Sequence, residues 1–167
     1  ESVGETVYLD LINRASKYLY IFTPYLILDD FMRTALCNAA KRGVDVRIVT
    51  PGIPDKKMVF RLTRSNYAPL MKSGVKIYEY TPGFIHAKSM VCDDEAAVVG
   101  TINLDYRSLY LHFENAVYFS HCDAVAAVKQ DGEDVFAVSK RMTIEDTRQT
   151  FIGKLVDSVL RVFETLL

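Results

Sequence analysis

The chain has 167 residues, of which 50% are hydrophobic and 25% are charged. This length and composition suit one folded domain with its own core and exclude a disordered or low-complexity segment. The 20 basic and 21 acidic residues leave a net charge of −1, whereas a general nucleic-acid binder is strongly basic. No apolar run reaches the roughly 18 residues of a membrane span. Because the chain starts with Glu1, we expect it to be part of a longer protein.

The first half of the chain alternates between helical and strand-like hydrophobic patterns. Helices are predicted at 5–17, from Asp29 or Asp30 to Gly43, and from a cap at Asp55 to Lys72. Strands are predicted at 18–23, 44–50 and 75–80. This alternation predicts an α/β sheet with parallel neighbours. A Thr-Pro pair closes each strand, at the carboxyl ends where open α/β sheets bind their ligands.

The second half of the chain contains more strands. They are predicted at 84–92, 96–100 and 113–120, with a hairpin turn at Asp93-Asp94. One helix is predicted at 123–138, and segment 151–167 has a broad apolar face that we expect to pack against protein. We therefore divide the chain into a domain at 1–141 and a C-terminal helical extension at 142–167.

The strongest functional signal is the pattern H-x-K-x4-D-x6-G-[ST]-x-N. On a strand, His86 and Lys88 point to the same face, so an imidazole and an ammonium enter one pocket. Imidazole acts as a nucleophile or proton carrier near neutral pH, and lysine is a point charge suited to phosphate oxygens. The pattern predicts a phosphoryl-transfer site that needs no metal or cofactor. Its six members are His86, Lys88, Asp93, Gly100, Thr101 and Asn103.

Further polar residues complete the predicted site. Thr101 and Asn103 are expected to add neutral hydrogen-bond donors to the same oxyanion. Glu114, which opens the next predicted strand, is expected to hold the other nitrogen of an imidazole. Arg107 is either a phosphate ligand or the partner of Asp105 in a local ion pair on a short helix. For His86 and Lys88 themselves, the alternative is an exposed strand with incidental charges.

The run from His86 to Glu114-Asn-Ala-Val resembles the HKD motif of the phospholipase D superfamily. Within that superfamily, the chain is similar to the C-terminal HKD half of bacterial cardiolipin synthases over roughly residues 5–145. The resemblance implies a phospholipase D/nuclease-like fold, an α/β architecture in which a mixed β-sheet is flanked by helices on both faces. The similar segments are 23–25, 42–47, 51–56, 78–88 and 99–108.

The resemblance also implies a reaction. One HKD histidine attacks a phosphodiester to form a phosphohistidine, and a second one protonates the leaving alcohol and deprotonates the incoming alcohol. In cardiolipin synthases, two phosphatidylglycerols give cardiolipin and glycerol. His86 corresponds to the second-half histidine, which is more often general acid/base than nucleophile. Lys88 and Asn103 would bind phosphate, Glu114 would orient a catalytic imidazole, and Asp93 would support the geometry.

The chain departs from the family pattern in three respects. Thr101 replaces a commoner serine, and His112 stands where asparagine is expected. Only one HKD motif is present, because neither His112 nor His121 is followed by lysine two residues later. The second motif is expected from another part of the longer protein or from a second copy, so the isolated chain is expected to be inactive.

The expected partner is phosphatidylglycerol or another anionic phospholipid, with no nucleic acid. We expect the longer protein at the cell membrane with this domain facing the cytoplasm, and the fragment itself to be soluble. Two alternatives stay open: a homodimeric single-HKD phosphodiesterase or nuclease, and an inactive half-domain that only binds lipid.

Positive charge is concentrated in one part of the sequence. Between Arg33 and Lys76 there are ten basic and two acidic residues, a net charge of +8. Lys57, Arg61 and Arg64 fall on one stripe of a predicted helix. This stripe is either a solvated face or a surface for anionic phospholipid headgroups.

Overall fold

The fold is that of a computed structural model, which describes residues 2–148 and 150–162. The helices are α1 (Val3–Arg14), α2 (Asp30–Lys41), α3 (Lys57–Ser65), α4 (Tyr67–Lys72), α5 (Tyr106–Tyr110), α6 (Asp123–Val138) and α7 (Phe151–Val162), with a 3₁₀ turn at Glu145–Thr147. The strands are β1 (Tyr18–Phe22), β2 (Asp45–Pro51), β3 (Lys76–Tyr80), β4 (Ser89–Cys92), β5 (Ala96–Gly100), β6 (Ala116–Ser120) and β7 (Ser139–Arg141).

The seven strands form one sheet in the order β6-β5-β4-β1-β2-β3-β7. Strands β1, β2 and β3 are parallel, and every other neighbouring pair is antiparallel. The predicted mixed sheet is therefore confirmed, and the short edge strand β7 is an addition to it. The loops that follow β1, β2 and β3 meet at one edge of the sheet, which we call the carboxyl edge.

Helices cover both faces of the sheet, as predicted. Leu19 and Ile21 of β1 point into a core formed with α1, α2 and α4. Tyr20 and Phe22 point to the opposite face, where they pack against Phe136 of α6. This alternation along one buried strand is what a sheet between two helical layers requires.

The predicted end signals of α2 are confirmed. The carboxylate of Asp29 accepts a hydrogen bond from the backbone N–H of Met32 at 2.7 Å, which caps the helix. Gly43, with a φ of 97°, ends it in the left-handed conformation that glycine adopts freely. The predicted cap at Asp55 is wrong, because Lys56 precedes α3 and Asp55 instead accepts a hydrogen bond from the hydroxyl of Tyr25.

The single helix predicted at 55–72 is two helices, α3 and α4. Pro69 has no N–H to donate to the carbonyl four residues earlier, so one continuous α-helix is unfavourable here. Asn66 fixes the junction, since its Nδ2 donates to the carbonyl oxygens of Leu26 at 3.0 Å and Leu62 at 3.2 Å. The junction thereby ties the helices to the loop that follows β1.

The predicted basic stripe is largely neutralised in the fold. Arg61 Nε lies 2.5 Å from Asp157 Oδ1, and Arg64 Nε lies 3.0 Å from Glu79 Oε1. Both carboxylates are buried, so the two arginines belong to the structure of the domain rather than to a free cationic face. Lys57 is the exposed member of the stripe that stays open to other partners.

The extension contacts α3 through one side of α7. Asp157 is 6% exposed, and Leu160 packs beside Val59 and Leu62 of α3. Part of the predicted apolar face is exposed, at Leu155, Val156 and Val159. The rest of that face includes Phe163, Leu166 and Leu167, which lie outside the described residues. The boundary at 141/142 stays a prediction. Among the described helices, none is long and apolar enough to cross a bilayer.

Deleting residues 151–167 is expected to destabilise the domain or change its assembly. The deletion removes Leu160 from its cluster and leaves Arg61 without its carboxylate, a loss of roughly 1–3 kcal/mol in the free energy of unfolding. Urea unfolding and analytical ultracentrifugation measure the two effects, and binding to anionic vesicles should change little. A truncated chain with unchanged stability and assembly that no longer binds vesicles would assign α7 to the membrane instead.

Candidate active site

A cleft of about 780 Å³ opens on the α6 side of the sheet. Three pieces of chain line it: the segment before β4, the end of β5 with the turn that follows, and one side of α6. The structure thus brings four predicted site residues into one cavity: His86, Lys88, Thr101 and Asn103. Within the described part of the chain, no three or more His, Cys, Asp and Glu side chains form a group that could hold a metal ion.

His86 and Lys88 lie on an extended segment just before β4, so the predicted strand at 84–92 is five residues too long. Strand β4 begins at Ser89 because its partner β1 ends opposite, at Phe22. The carbonyl of Lys88 still accepts a hydrogen bond from Gly100 N–H at 3.1 Å. Lys88 Nζ donates to the carbonyl oxygen of His86 at 2.7 Å, which folds the lysine back along the motif.

Two aromatic rings that sequence reasoning did not assign to the site flank the imidazole of His86. Phe84 stacks on it with ring centroids 5.6 Å apart, and Tyr25 meets it edge-on at 6.2 Å. The hydroxyl of Tyr25 donates to Asp55 at 2.6 Å, and this bond fixes the ring. Phe84 alternates with His86 along an extended chain, and Tyr25 directly follows a Thr-Pro strand end. These two signals were available in the sequence.

Burial and the neighbouring charge determine the protonation of His86. Burial lowers the pKa of His86 below its ordinary 6.5, Lys88 lowers it further, and Asp55 opposes both. Burial also lowers the pKa of Lys88, although the carboxylates of Glu114 and Asp105 act to raise it. At neutral pH the cleft therefore holds a neutral imidazole, the form that attacks phosphorus or accepts a proton.

Gly100 allows the turn after β5 to approach the chain before β6. A Cβ at this position would lie 2.3 Å from the carbonyl oxygen of Asn115, so no other residue fits without moving the backbone. The close approach lets Thr101 N–H donate to the same carbonyl at 2.8 Å. It also lets the Thr101 hydroxyl donate a short hydrogen bond to Glu114. In this arrangement the hydroxyl proton of Thr101 is already engaged.

Glu114 lies two residues before β6, which begins at Ala116 rather than at 113 as predicted. Its carboxylate contacts the Thr101 hydroxyl and lies 3.7 Å from Nδ1 of His112. Within the described residues its contacts do not include His86. The carboxylate predicted to orient an imidazole therefore has His112 as its imidazole neighbour in this chain.

Arg107 is turned towards His112 and does not line the cleft. Its Nε donates to Nε2 of His112 at 3.4 Å, so the imidazole bridges Arg107 and Glu114. The predicted ion pair between Arg107 and Asp105 is not formed. Asp105 instead caps α5 by accepting a hydrogen bond from Ser108 N–H at 2.7 Å.

Asn103 is held at the wall of the cleft by α5. Its Nδ2 donates to the Ser108 hydroxyl at 3.0 Å, while its Oδ1 is buried without a hydrogen-bond partner in the described chain. An amide nitrogen carries two hydrogens. One hydrogen of Asn103 therefore remains for a ligand oxygen.

Asp93 lies at the opposite end of β4, about 17 Å from Lys88 at 3.4 Å per residue. It is buried and accepts four hydrogen bonds of 2.6–2.9 Å, from the backbone N–H groups of Ser16, Lys17 and Tyr18 and the Ser16 hydroxyl. Asp93 and Asp94 both have positive φ, as the predicted tight hairpin requires. The motif aspartate joins two strands and does not touch the cleft.

Comparison with solved structures identifies the fold. The chain aligns over 98% of its length with 44% of phosphatidylserine synthase from Haemophilus influenzae, at a TM-score of 0.80 and 17% identity. It aligns over 83% of its length with 90% of Nuc, a phospholipase D family member from Salmonella typhimurium, at a TM-score of 0.72 and 19% identity. The fold is that of a phospholipase D-like domain.

The sequence identifies the family. The family model described as "Cardiolipin synthase, PLD-like domain" matches residues 8–135, and the chain belongs to this family. A cardiolipin synthase from Geobacillus sp. (strain WCH70) is 38% identical over 162 residues, covering 96% of this chain and 32% of the relative. An uncharacterized Streptococcus mutans protein is 51% identical over 168 residues, covering all of this chain and 36% of the relative. The chain spans about a third of the length of these relatives, and the predicted family and fold are confirmed.

Proposed function

We propose that this domain supplies one half of a phosphatidyltransferase site that converts two phosphatidylglycerols into cardiolipin and glycerol. The observation that carries the proposal is a neutral imidazole, His86, beside the lysine of the same H-x-K sequence in an open cleft. Membership of the cardiolipin synthase family supports the choice of substrate. The chemistry is a transfer of one phosphodiester between two alcohols.

The proposed reaction has two steps that balance. In the first, an imidazole nitrogen of one HKD motif bonds to phosphorus, the P–O bond to glycerol breaks, and the histidine of the other motif protonates the leaving oxygen. In the second, that histidine removes the proton of the incoming hydroxyl, whose oxygen bonds to phosphorus as the P–N bond breaks and the first histidine is released. We propose the proton-transfer role for His86. An anionic phosphodiester beside it raises its pKa, so protonation accompanies substrate binding.

We propose that Lys88 and Asn103 bind the negatively charged oxygens of the phosphate. Both line the cleft, and each keeps a donor for a ligand oxygen. Thr101 would have to release Glu114 before its hydroxyl could donate to phosphate, and Arg107 would have to leave His112. We therefore propose that Glu114 and Thr101 act by shaping the turn beside the imidazole.

The second histidine must come from outside this motif. We propose that it belongs to another part of a longer protein, because the cardiolipin synthases that match are about three times the length of this chain. The phosphatidylserine synthase that shares the fold is also more than twice as long as the part that aligns. The alternative, a homodimeric phosphodiesterase or nuclease, is favoured by the alignment over 90% of Nuc, and cleavage of short DNA by a dimer would identify it.

Binding of an oxyanion without a divalent metal tests the proposed site. Inorganic phosphate or vanadate should shift the NMR signals of His86 in the presence of a chelator, and the three histidines of the chain keep the assignment simple. Lys88→Ala should weaken binding about 10- to 100-fold, since a hydrogen bond to a charged group is worth roughly 1.5–3 kcal/mol. The matched control is Lys129→Ala, because the ammonium of Lys129 pairs with Asp94 outside the cleft. Binding that disappears on chelation would indicate a metal-dependent phosphodiesterase instead.

A further inference from the structure

We propose that residues 53–58, in the loop after β2 and the first turn of α3, dock the domain on an anionic lipid bilayer, with Ile53 and Met58 entering the headgroup region. We call this segment the docking loop. The inference rests on the proposed function, because a phosphatidyltransferase must reach a phosphate that its substrate holds at a membrane surface. The inference adds the protein surface through which the domain reaches that membrane.

The docking loop is the first observation. All six of its residues are exposed, and two of them are large and apolar: Ile53 is 48% exposed and Met58 is 52% exposed. Single exposed apolar residues are normal on a protein surface. Two of them stand at the two ends of one exposed segment, and Asp55 in that segment contacts Tyr25, whose ring meets His86. This is apolar surface that a lipid bilayer would cover.

The position of the loop is the second observation. It follows β2 at the carboxyl edge, where Tyr25 follows β1 and Phe84 follows β3. The hydrogen bond between Tyr25 and Asp55 ties the loop to the ring that meets His86 edge-on. Phe84, stacked on His86, is itself 42% exposed. The docking loop is therefore joined through Asp55 and Tyr25 to the imidazole of His86, and Phe84 adds an exposed apolar ring beside the same imidazole.

The charge of the loop is the third observation. Lys56 and Lys57 are exposed between the two apolar residues, and Lys56 Nζ lies 5.9 Å above the ring of Tyr25. The one acidic residue of the loop, Asp55, is turned to the Tyr25 hydroxyl and the Lys56 N–H. The two lysines are thus the exposed charges between the two apolar residues. Apolar residues interleaved with lysines suit an anionic membrane interface.

The same composition disfavours a protein partner as the occupant of the loop. The cores of protein–protein interfaces are depleted of lysine. A lysine beside a bilayer, in contrast, keeps its ammonium among the headgroup phosphates while its stem and its apolar neighbours enter the interface. Charge complementarity therefore selects an anionic lipid surface.

The chain contains no tryptophan, so an introduced one is a unique reporter. We expect Ile53→Trp to shift its emission to the blue on phosphatidylglycerol vesicles, and brominated acyl chains in those vesicles to quench it. The matched control is Ile144→Trp, at a position that is also exposed but follows β7 near the start of β3, at the opposite edge of the sheet. Its emission should not change.

Binding strength gives the second readout, measured by co-sedimentation with phosphatidylglycerol vesicles. Ile53→Ser combined with Met58→Ser should lower the partition coefficient at least about tenfold, because each side chain loses contact with the apolar phase. Lys57→Ser should lower it about fivefold, the effect of one basic residue near an anionic surface. Ile144→Ser and Lys72→Ser, away from the carboxyl edge, should change it less than about twofold. Unchanged thermal unfolding shows that the variants fold.

Two results would overturn the docking proposal. One is vesicle binding that is insensitive to the docking-loop variants, with an unquenched tryptophan in the Ile53→Trp variant. The other is a change of assembly state when Ile53→Ser and Met58→Ser are combined while vesicle binding stays constant, which would assign the loop to a protein partner. Phosphate binding at His86, measured on the same samples, separates this failure from that of the proposed function. An unmodified chain that binds no phosphate contradicts the function whatever the loop does.

Discussion

Replacing His86 by alanine is expected to abolish phosphatidyl transfer, with a rate at least about 10⁴-fold lower than that of the unmodified enzyme. The variant removes the group that protonates one alcohol and deprotonates the other, and losing a group that acts as part of a catalytic unit costs about as much as losing the whole unit. The assay measures cardiolipin formed from phosphatidylglycerol vesicles by a protein that contains this domain and a second HKD motif. Near-normal synthesis would show that the motif has another role.

Glu114→Gln is the graded comparison for His86→Ala. The amide still accepts the hydrogen bond of Thr101 but loses the negative charge beside His112. We expect a smaller loss of rate than for His86→Ala, because Glu114 shapes the turn beside the catalytic imidazole and does not supply that imidazole. His121→Ala serves as the control, since His121 lies at the end of the β5–β6 pair away from the cleft and should retain full activity.

Replacing Asp93 by alanine is expected to lower the free energy of unfolding by roughly 3–5 kcal/mol. The change leaves three backbone N–H groups at the start of β1 without the acceptor that now pairs them. Urea unfolding measures the loss. Asp94→Ala is the matched control, because Asp94 is exposed in the same turn and pairs with Lys129 at the surface. Equal losses in the two variants would contradict the assignment.

The stabilisation by Asp93 should depend on pH. Burial opposes its ionisation, but the hydrogen bonds from Tyr18, Lys17 and Ser16 outweigh burial and hold the pKa of Asp93 below its ordinary 3.8. A carboxyl whose pKa is lower in the folded state stabilises the fold fully above its unfolded-state pKa and loses that effect as the pH falls through the folded-state value. The stability difference between Asp93→Ala and the unmodified chain should therefore be constant from pH 7 to about 5 and shrink below pH 4. A difference that persists unchanged at pH 2 would mean that charge is not its source.

The sequence predicts the core of this fold well because its hydrophobic periods match buried elements. Helix α6 and strand β5 have the predicted bounds, and the hairpin turn lies at Asp93-Asp94. The errors in the predicted strand bounds arise where the length of a strand depends on where its partner strand ends. Residues 84–88 have the composition of a strand, but β1 ends at Phe22 and gives them no continuing ladder on that side. In the same way, the ladder between β5 and β6 ends at Gly100 and Ala116, so residues 113–115 do not extend β6.

The part of the candidate site that the sequence predicts comes from residues close together along the chain. The H-x-K pair and the Gly-Thr-Ile-Asn turn meet because β4 and β5 form a hairpin. Tyr25 reaches His86 from the end of β1, and the bond between Arg61 and Asp157 joins residues 96 positions apart. Such contacts depend on how whole elements pack, which a periodic pattern does not encode. The place of His112 between Arg107 and Glu114 is of the same kind.

The four residues of β4 separate the residues of the HKD motif that line the cleft from the aspartate that stabilises the fold. Its histidine and lysine lie at the carboxyl edge, and its aspartate fastens the start of β1 at the other edge. The two ends are therefore free to evolve apart. A duplicated copy of such a domain that lost its imidazole but kept its aspartate would retain its architecture while contributing no chemistry. In a longer relative with two copies, a surviving aspartate is evidence of a sound scaffold, and only a surviving histidine is evidence of a working half-site.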